Sequence, residues 1–322
     1  GRATSGAALA LKGKIELYNG MYAQAAETLK EVIDLKDENG ALRYDLYPRY
    51  RELFLPQNEN NSEVIFDIQY MKNAYSQGLS HQLYTFTYEW NSYCPTAALA
   101  ECYYTKNGYP VSWNAETQLY ESTDPAFDST YPYKDRDPRL DQSIIMPGTD
   151  NGRGTVFLPS SSNHTGMKIR KWNDYTETEK NNSEHNIILI RFADVLLMRA
   201  EALVESGTFD EAEVRGLIDR VRQRPSVMMP KVEDVEGTNL DATALRAIIR
   251  HERRVEFAFE GTRISDIRRW RIGPEVMTDA YGYKYQDVRL NPPKYIPYKV
   301  DTRSFNPNRD YLWPIPQNEI NT

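Results

Sequence analysis

A chain of 322 residues is long enough for two ordinary domains or one large irregular one. With 40% hydrophobic and 26% charged residues it is a globular sequence, and a mean hydropathy of −0.68 predicts long ordered surface loops. A formal charge of −7 argues against nucleic acid, because phosphate neutralisation needs a concentrated basic face and the arginines from Arg246 to Arg271 are interleaved with acids. No window approaches the roughly 18 apolar residues that span a bilayer, and no signal peptide is expected at Gly1.

Ala8, Leu11, Ile15, Tyr18 and Tyr22 recur at spacings of three and four, which predicts one face of a helix. Asn19-Gly20 punctuates it. Tyr22, Ala25, Ala26, Leu29, Val32 and Ile33 form a second apolar face, and Ala23, Ala25 and Ala26 are small enough for close approach. Residues 1–36 therefore read as a helix pair of tetratricopeptide length. Residues 37–186 read as a loop-rich insertion with short helices and strands. Glu63 to Gln69 is a short β-type run, and residues 72–93 and 104–186 are rich in Tyr, Asn, Ser, Thr, Pro and Gly. Loops of that length in a compact protein are usually functional or disordered. Residues 187–272 read as helical repeats: a helix from Ile187 to Ser206, its mate from Phe209 to Arg224, a third from Asp241 to Phe259 capped by Asp241 or Thr243, and a short one from Ser265 to Arg271. Residues 273–322 read as an irregular wrap.

Catalytic patterns are sparse. His81, His164, His185 and His251 fall in no metal or nucleophile motif, and Gly152-Arg153-Gly154 lacks the rest of a phosphate loop. No carboxylate pair is singled out by spacing. No cofactor is expected, and no metal site, because Cys94 and Cys102 form neither a CxxC nor a Cys/His cluster. A buried Cys102 thiol is favoured over a bridge to Cys94. Glu252 falls seven residues after Leu245 on the stripe that includes Ile248, Ile249 and Phe259. A carboxylate facing a core must be paired, so Glu252, Arg253 and Arg268 are expected in a structural ion-pair network, with Arg222, Arg263 and Arg269 as further candidates. A catalytic Glu252 is the alternative.

The 23 tyrosines invite two readings. They are wedges in a loop-rich helical protein, or they are a wet binding surface. The crowding of Tyr75, Tyr84, Phe86, Tyr88, Trp90 and Tyr93 beside Asn73, Gln77, Gln82 and Asn91 favours stacking on sugar rings, with amides for the hydroxyls. Tyr84, Phe86 and Tyr88 also alternate as in a strand with one buried face. Trp90 is the leading ligand-binding candidate, followed by Tyr88, Tyr93 and Tyr84, with Asn91 as a hydrogen-bonding partner.

Seven segments in order resemble the SusD/RagB family of outer-membrane lipoproteins. They are Gly1 to Thr4 with the Ala-rich helix, Tyr50 to Phe66, Cys94 to Gly108, Asp135-Arg136-Asp137-Pro138-Arg139-Leu140 with the strand after it, Ile190 to Ala202, Glu252 to Trp270, and Tyr311 to Glu319. The resemblance implies a mainly α fold, four tetratricopeptide-like helix pairs carrying long irregular loops and a few short strands. It implies a non-catalytic protein at the cell surface that captures oligosaccharide and delivers it to a TonB-dependent outer-membrane barrel. Membrane association would come only through a lipid anchor, and the chain reads as the C-terminal two-thirds or so of a family member. A peptide-binding helical-repeat protein, whose site would be a concave helical groove, and a glycoside hydrolase with two facing carboxylates are the alternatives.

Overall fold

The computed structural model describes residues 3–76, 91–176, 179 and 182–321. Two helices open the chain, α1 (Ser5–Tyr18) and α2 (Tyr22–Ile33). Strand β1 (Val64–Ile68) and short helix α3 (Ala97–Glu101) follow. Next come hairpin β2 (Ser112–Asn114) and β3 (Leu119–Glu121), helix α4 (Arg139–Ser143), and the pair β4 (Ile144–Ile145) and β5 (Lys168–Ile169). Strand β6 (Ile187–Arg191) leads into the long helices α5 (Phe192–Glu205) and α6 (Glu211–Arg222), then α7 (Val232–Val235) and α8 (Ala242–Glu256). The C-terminal part carries α9 (Arg263–Arg269), β7 (Ala280–Tyr283) and β8 (Pro297–Asp301). The fold is mainly α, tetratricopeptide-like helix pairs with long loops and antiparallel strand pairs β1–β6, β2–β3, β4–β5 and β7–β8. Among the described residues no helix is long and apolar enough to cross a membrane.

Caps and glycines set the helix limits. Thr4 accepts from the Ala7 amide at the start of α1, Asp210 from Ala212 at α6, and Asp241 from Ala244 at α8. Gly20 and Gly207 turn each pair at φ of 74° and 79°, a region that costs glycine little. Close packing, rather than bulk, decides the buried face of α1. Leu11 and Ile15 point outward, 50% and 53% exposed, while Ala7, Ala10, Gly13 and Leu17 face inward. This reverses the face expected from Ala8, Leu11 and Ile15. A Cβ on Gly13 would lie 2.7 Å from Leu29 of α2, so only a small-residue face lets the helices approach this closely.

The segment expected to be helical from Ile187 is a strand until Arg191. Its β-branched run pairs antiparallel with β1, Asp67 opposite Ile188, and the Phe192 amide donates to the Glu63 carbonyl at 2.9 Å. A small apolar cluster gathers Tyr50, Val227 and Met229, and two large cores form beside it. One joins α1, α2, α5, α6 and α8. The other gathers Tyr103, Tyr120, Tyr133, Tyr283 and Tyr295 around α3, α4 and Val255 of α8. The phenol of Tyr120 donates to Glu101 at 2.6 Å and meets Tyr283 at 2.7 Å, so Tyr120 and Tyr283 are satisfied core wedges.

Ionic clusters lie on either side of α8. In the first, Glu256 accepts from Arg191 at 2.8 Å, Arg224 at 2.9 Å and Arg139 at 3.0 Å. Glu63 accepts from Arg191 and Arg224, and Glu252 from Arg139 and from Arg222 at 3.0 Å. In the second, Arg253 bridges Asp194 at 2.8 Å and Asp266 at 3.1 Å. Arg268 stands apart, with its guanidinium 3.9 Å from the centre of the Trp313 ring.

Burial alone would push these carboxyls up. The adjoining cations outweigh it and hold Glu63, Glu252, Glu256 and Asp194 below the ordinary carboxylate range. Below the unfolded values of 4.5 for Glu and 3.8 for Asp, the unfolded chain binds protons that the folded chain refuses. Stability from these groups is therefore complete above that range and lost as pH falls through it, by up to about 1.4 kcal/mol per pH unit for each proton. We expect the urea midpoint to drop most steeply below about pH 4.5. A midpoint unchanged from about pH 5 to 3 would refute that assignment.

Candidate functional site

A cleft of about 850 Å³ is built by loops. None of its described lining residues lies within a helix. Residues 91–96 lead into α3, residues 164–173 surround β5, Phe259 and Gly261 follow α8, and Ala280, Val300, Asp301 and Arg303 come from β7–β8 and the turn after it. Trp172, Phe259, Ile169 and Val300 make an apolar floor; Ser92, His164, Asp301 and Arg303 supply polar groups. That mixture, mostly apolar with a few polar groups, is the usual make-up of a small-molecule site. The exposed Arg303 guanidinium forms no ion pair with a described residue.

Three non-glycine lining residues hold left-handed backbone: Asn91 at φ 55°, Trp172 at 70° and Phe259 at 64°. Asparagine tolerates this region; bulky aromatics do so at a cost of about 1–3 kcal/mol, and such strain gathers at functional sites. Two contacts over-determine Trp172. Its indole donates to the Phe259 carbonyl at 3.1 Å, and its ring packs 4.6 Å from Phe54. The neighbouring Lys171 is fully buried and donates to Tyr50 at 2.6 Å, to the Glu256 carbonyl at 3.0 Å and to Glu260 at 2.5 Å. Burial pushes its ammonium down to about 8 against the pull of Glu260. The first ionic cluster thus anchors the segment that presents Trp172.

Tyr93 lies on the cleft, 59% exposed. Asn91 lines it too but is 7% exposed, and its amide is spent on protein: Nδ2 donates to Ser162 at 3.3 Å and Oδ1 accepts from Asn163 at 3.1 Å. It shapes the wall. Tyr84, Tyr88 and Trp90 lie outside the described residues. Tyr75 is exposed but does not line this cleft. Nothing in the sequence marks Trp172 or Phe259 as a ligand contact: Trp172 is one aromatic in the long Tyr-rich stretch 104–186, and Phe259 closes a helix whose stripe reads as core-facing. Cys94 and Cys102 are free thiols; burial pushes both up, so neither is a ready nucleophile.

Behind the cleft, residues 165–166 cross β7 at contact distance. The Tyr283 amide donates to the Thr165 carbonyl at 2.9 Å. A Cβ on Gly282 would sit 2.5 Å from Thr165 Cα, and one on Gly166, at φ 76°, would sit 2.7 Å from the Tyr283 carbonyl oxygen. Backbone is on the far side in both cases, so side-chain rotation gives no relief. Gly282→Ala is expected to destabilise by about 2–3 kcal/mol, read by urea unfolding. A loss below about 0.5 kcal/mol would mean that the crossing yields easily.

The profile of the SusD family matches residues 62–322. SusD-like protein P2 of Formosa agariphila is 28% identical over 99% of this chain and 57% of its own length. Among solved structures, a SusD-like carbohydrate binding protein from Bacteroides fragilis superposes with a TM-score of 0.83 at 31% identity, covering 100% of this chain and 64% of that one. A laminarin binding SusD-like protein gives a TM-score of 0.53 at 26% identity, with 85% and 56% covered. The chain spans less than two-thirds of these relatives' length. The profile covers most of the sequence, in the order of motifs from Ser62 to Glu319, and the chain belongs to the SusD family.

Proposed function

We propose that the cleft of Trp172, Phe259 and Tyr93 binds an oligosaccharide without changing it, and that the protein holds it at the outer surface of a cell for a TonB-dependent barrel. The observation that carries this reading is the pair of aromatic residues held in left-handed backbone on one apolar floor. Flat rings fixed in place stack on the C–H faces of sugars, and the polar residues beside them suit the hydroxyls. Asp301 is the single carboxylate among the described lining residues. Hydrolysis by the usual glycosidase chemistry uses two, so the lining supports capture over cleavage. The loop origin of the cleft favours it over a peptide groove on the helices.

The test is a calorimetric titration with a glycan panel that includes laminarin oligosaccharides, with product analysis on the same samples. Wild type is expected to bind one glycan class saturably and release no shorter product. Tyr93→Ala, an exposed position, is expected to weaken binding at least about tenfold with the unfolding midpoint unchanged. Trp90→Ala run alongside reports on the other predicted ring. Absence of binding by any glycan, repeated with the full-length natural chain, would defeat the reading. Delivery is read in cells: a Tyr93→Ala strain should take up the bound glycan as slowly as a deletion strain.

A further inference from the structure

A second cleft, of about 360 Å³, shares no lining residue with the first. It lies between the β2–β3 hairpin, residues 129–132 and residues 292–296. We infer that it is a separate carbohydrate subsite, taking a single pyranose ring or the end of a chain.

Trp113 carries the argument. It stands opposite Tyr120 in the hairpin register, and the two rings meet edge to face at 5.2 Å. Tyr120 is buried and tied through its phenol to Glu101 and Tyr283, so the indole rests on an immobile support. The other walls are stiff as well. Pro132, Pro292 and Pro293 line the cleft, and proline has little conformational freedom to lose on binding.

The polar side chains around this platform are uncommitted. Gln118, Ser129, Thr130 and Lys294 form no side-chain hydrogen bond or ion pair with a described residue, whereas the neighbouring Thr117 hydroxyl is spent on Glu121 at 2.9 Å. Gln118 is held in left-handed backbone at φ 54° on the hairpin turn, which sets where its amide emerges. A flat indole ringed by an amide, two hydroxyls and an ammonium presents donors and acceptors around a stacking face. That is the complement of a pyranose, which has an apolar face and a rim of hydroxyls. The volume sits at the small end of ligand sites, roughly 300–1,000 Å³, and suits a ring rather than a long chain.

The experiment follows the indole N–H signals of the five tryptophans by nitrogen-15 spectroscopy. The Trp113 signal is assigned by its loss in Trp113→Phe. The probes are methyl glycosides of glucose, galactose, mannose, xylose and glucuronic acid, to about 100 mM. At least one probe is expected to shift the Trp113 signal saturably. Gln118→Ala and Thr130→Ala, both exposed and without a packing role, should each weaken that response several-fold, and Tyr93→Ala should leave it unchanged. A Trp113 signal fixed for every probe overturns the proposal. So does an unaltered response in both Gln118→Ala and Thr130→Ala, or a response abolished by Tyr93→Ala.

Discussion

Replacing Glu256 by Gln is expected to lower the free energy of unfolding by about 3–5 kcal/mol. Arg139, Arg191 and Arg224 all donate to this carboxylate, and all four groups are buried. Glutamine keeps the shape but removes the charge, and its NH2 turns a donor toward a guanidinium. Three desolvated cations then share too few anions. A buried pair need not stabilise relative to an apolar replacement, yet breaking one partner out is costly because the rest stay buried and uncompensated. Urea is the right denaturant, since it does not screen charge. Glu38→Gln, on an exposed loop, serves as the control and should change stability by less than about 0.5 kcal/mol. A loss below about 1 kcal/mol for Glu256→Gln would mean that water or neighbouring side chains relax around the cluster, and that it does not anchor the cleft.

Part of this was legible in the sequence. Glu252 sits on an apolar stripe at helical period, so its need for a cation could be read directly. Arg222 is among the cations foreseen for it. Arg139 could not be foreseen, because it meets Glu252 across 113 residues. Glu63 and Arg224 are 161 apart, and nothing local pairs them. Arg268 shares the basic stretch with Arg253 but turns to Trp313. On α1 bulk points to the wrong face, because Ala10 and Gly13 mark the close approach while Leu11 and Ile15 are exposed. Tyrosine counts could not separate core from site: Tyr103, Tyr120 and Tyr283 are buried, and Tyr93 is exposed. The floor of the cleft was the least legible. A left-handed backbone is announced by glycine or asparagine, as at Asn91, and nothing around Trp172 or Phe259 announces one.

That unannounced conformation gives the second large expected effect. Trp172→Ala removes the stacking ring and its packing on Phe54, and should destabilise the fold by about 3 kcal/mol while weakening glycan binding by about 30-fold or more. Trp172→Phe keeps most of the packing and should recover most of the stability; with the indole donor to the Phe259 carbonyl lost, binding should recover only in part. Trp172→Gly separates strain from packing. Glycine deletes more side chain than alanine, yet it meets no penalty at φ 70°. If the native ring holds its backbone under strain, the glycine variant should be more stable than the alanine variant by about 1 kcal/mol, with both equally poor at binding. Ordinary helix or strand positions show the opposite order, so the sign alone decides. An alanine variant more stable than the glycine one would show that residue 172 relaxes out of the left-handed region once the ring is gone. The ring would then be imposing the conformation, and the cleft floor would be shaped by Trp172 itself rather than by the ionic cluster beneath it.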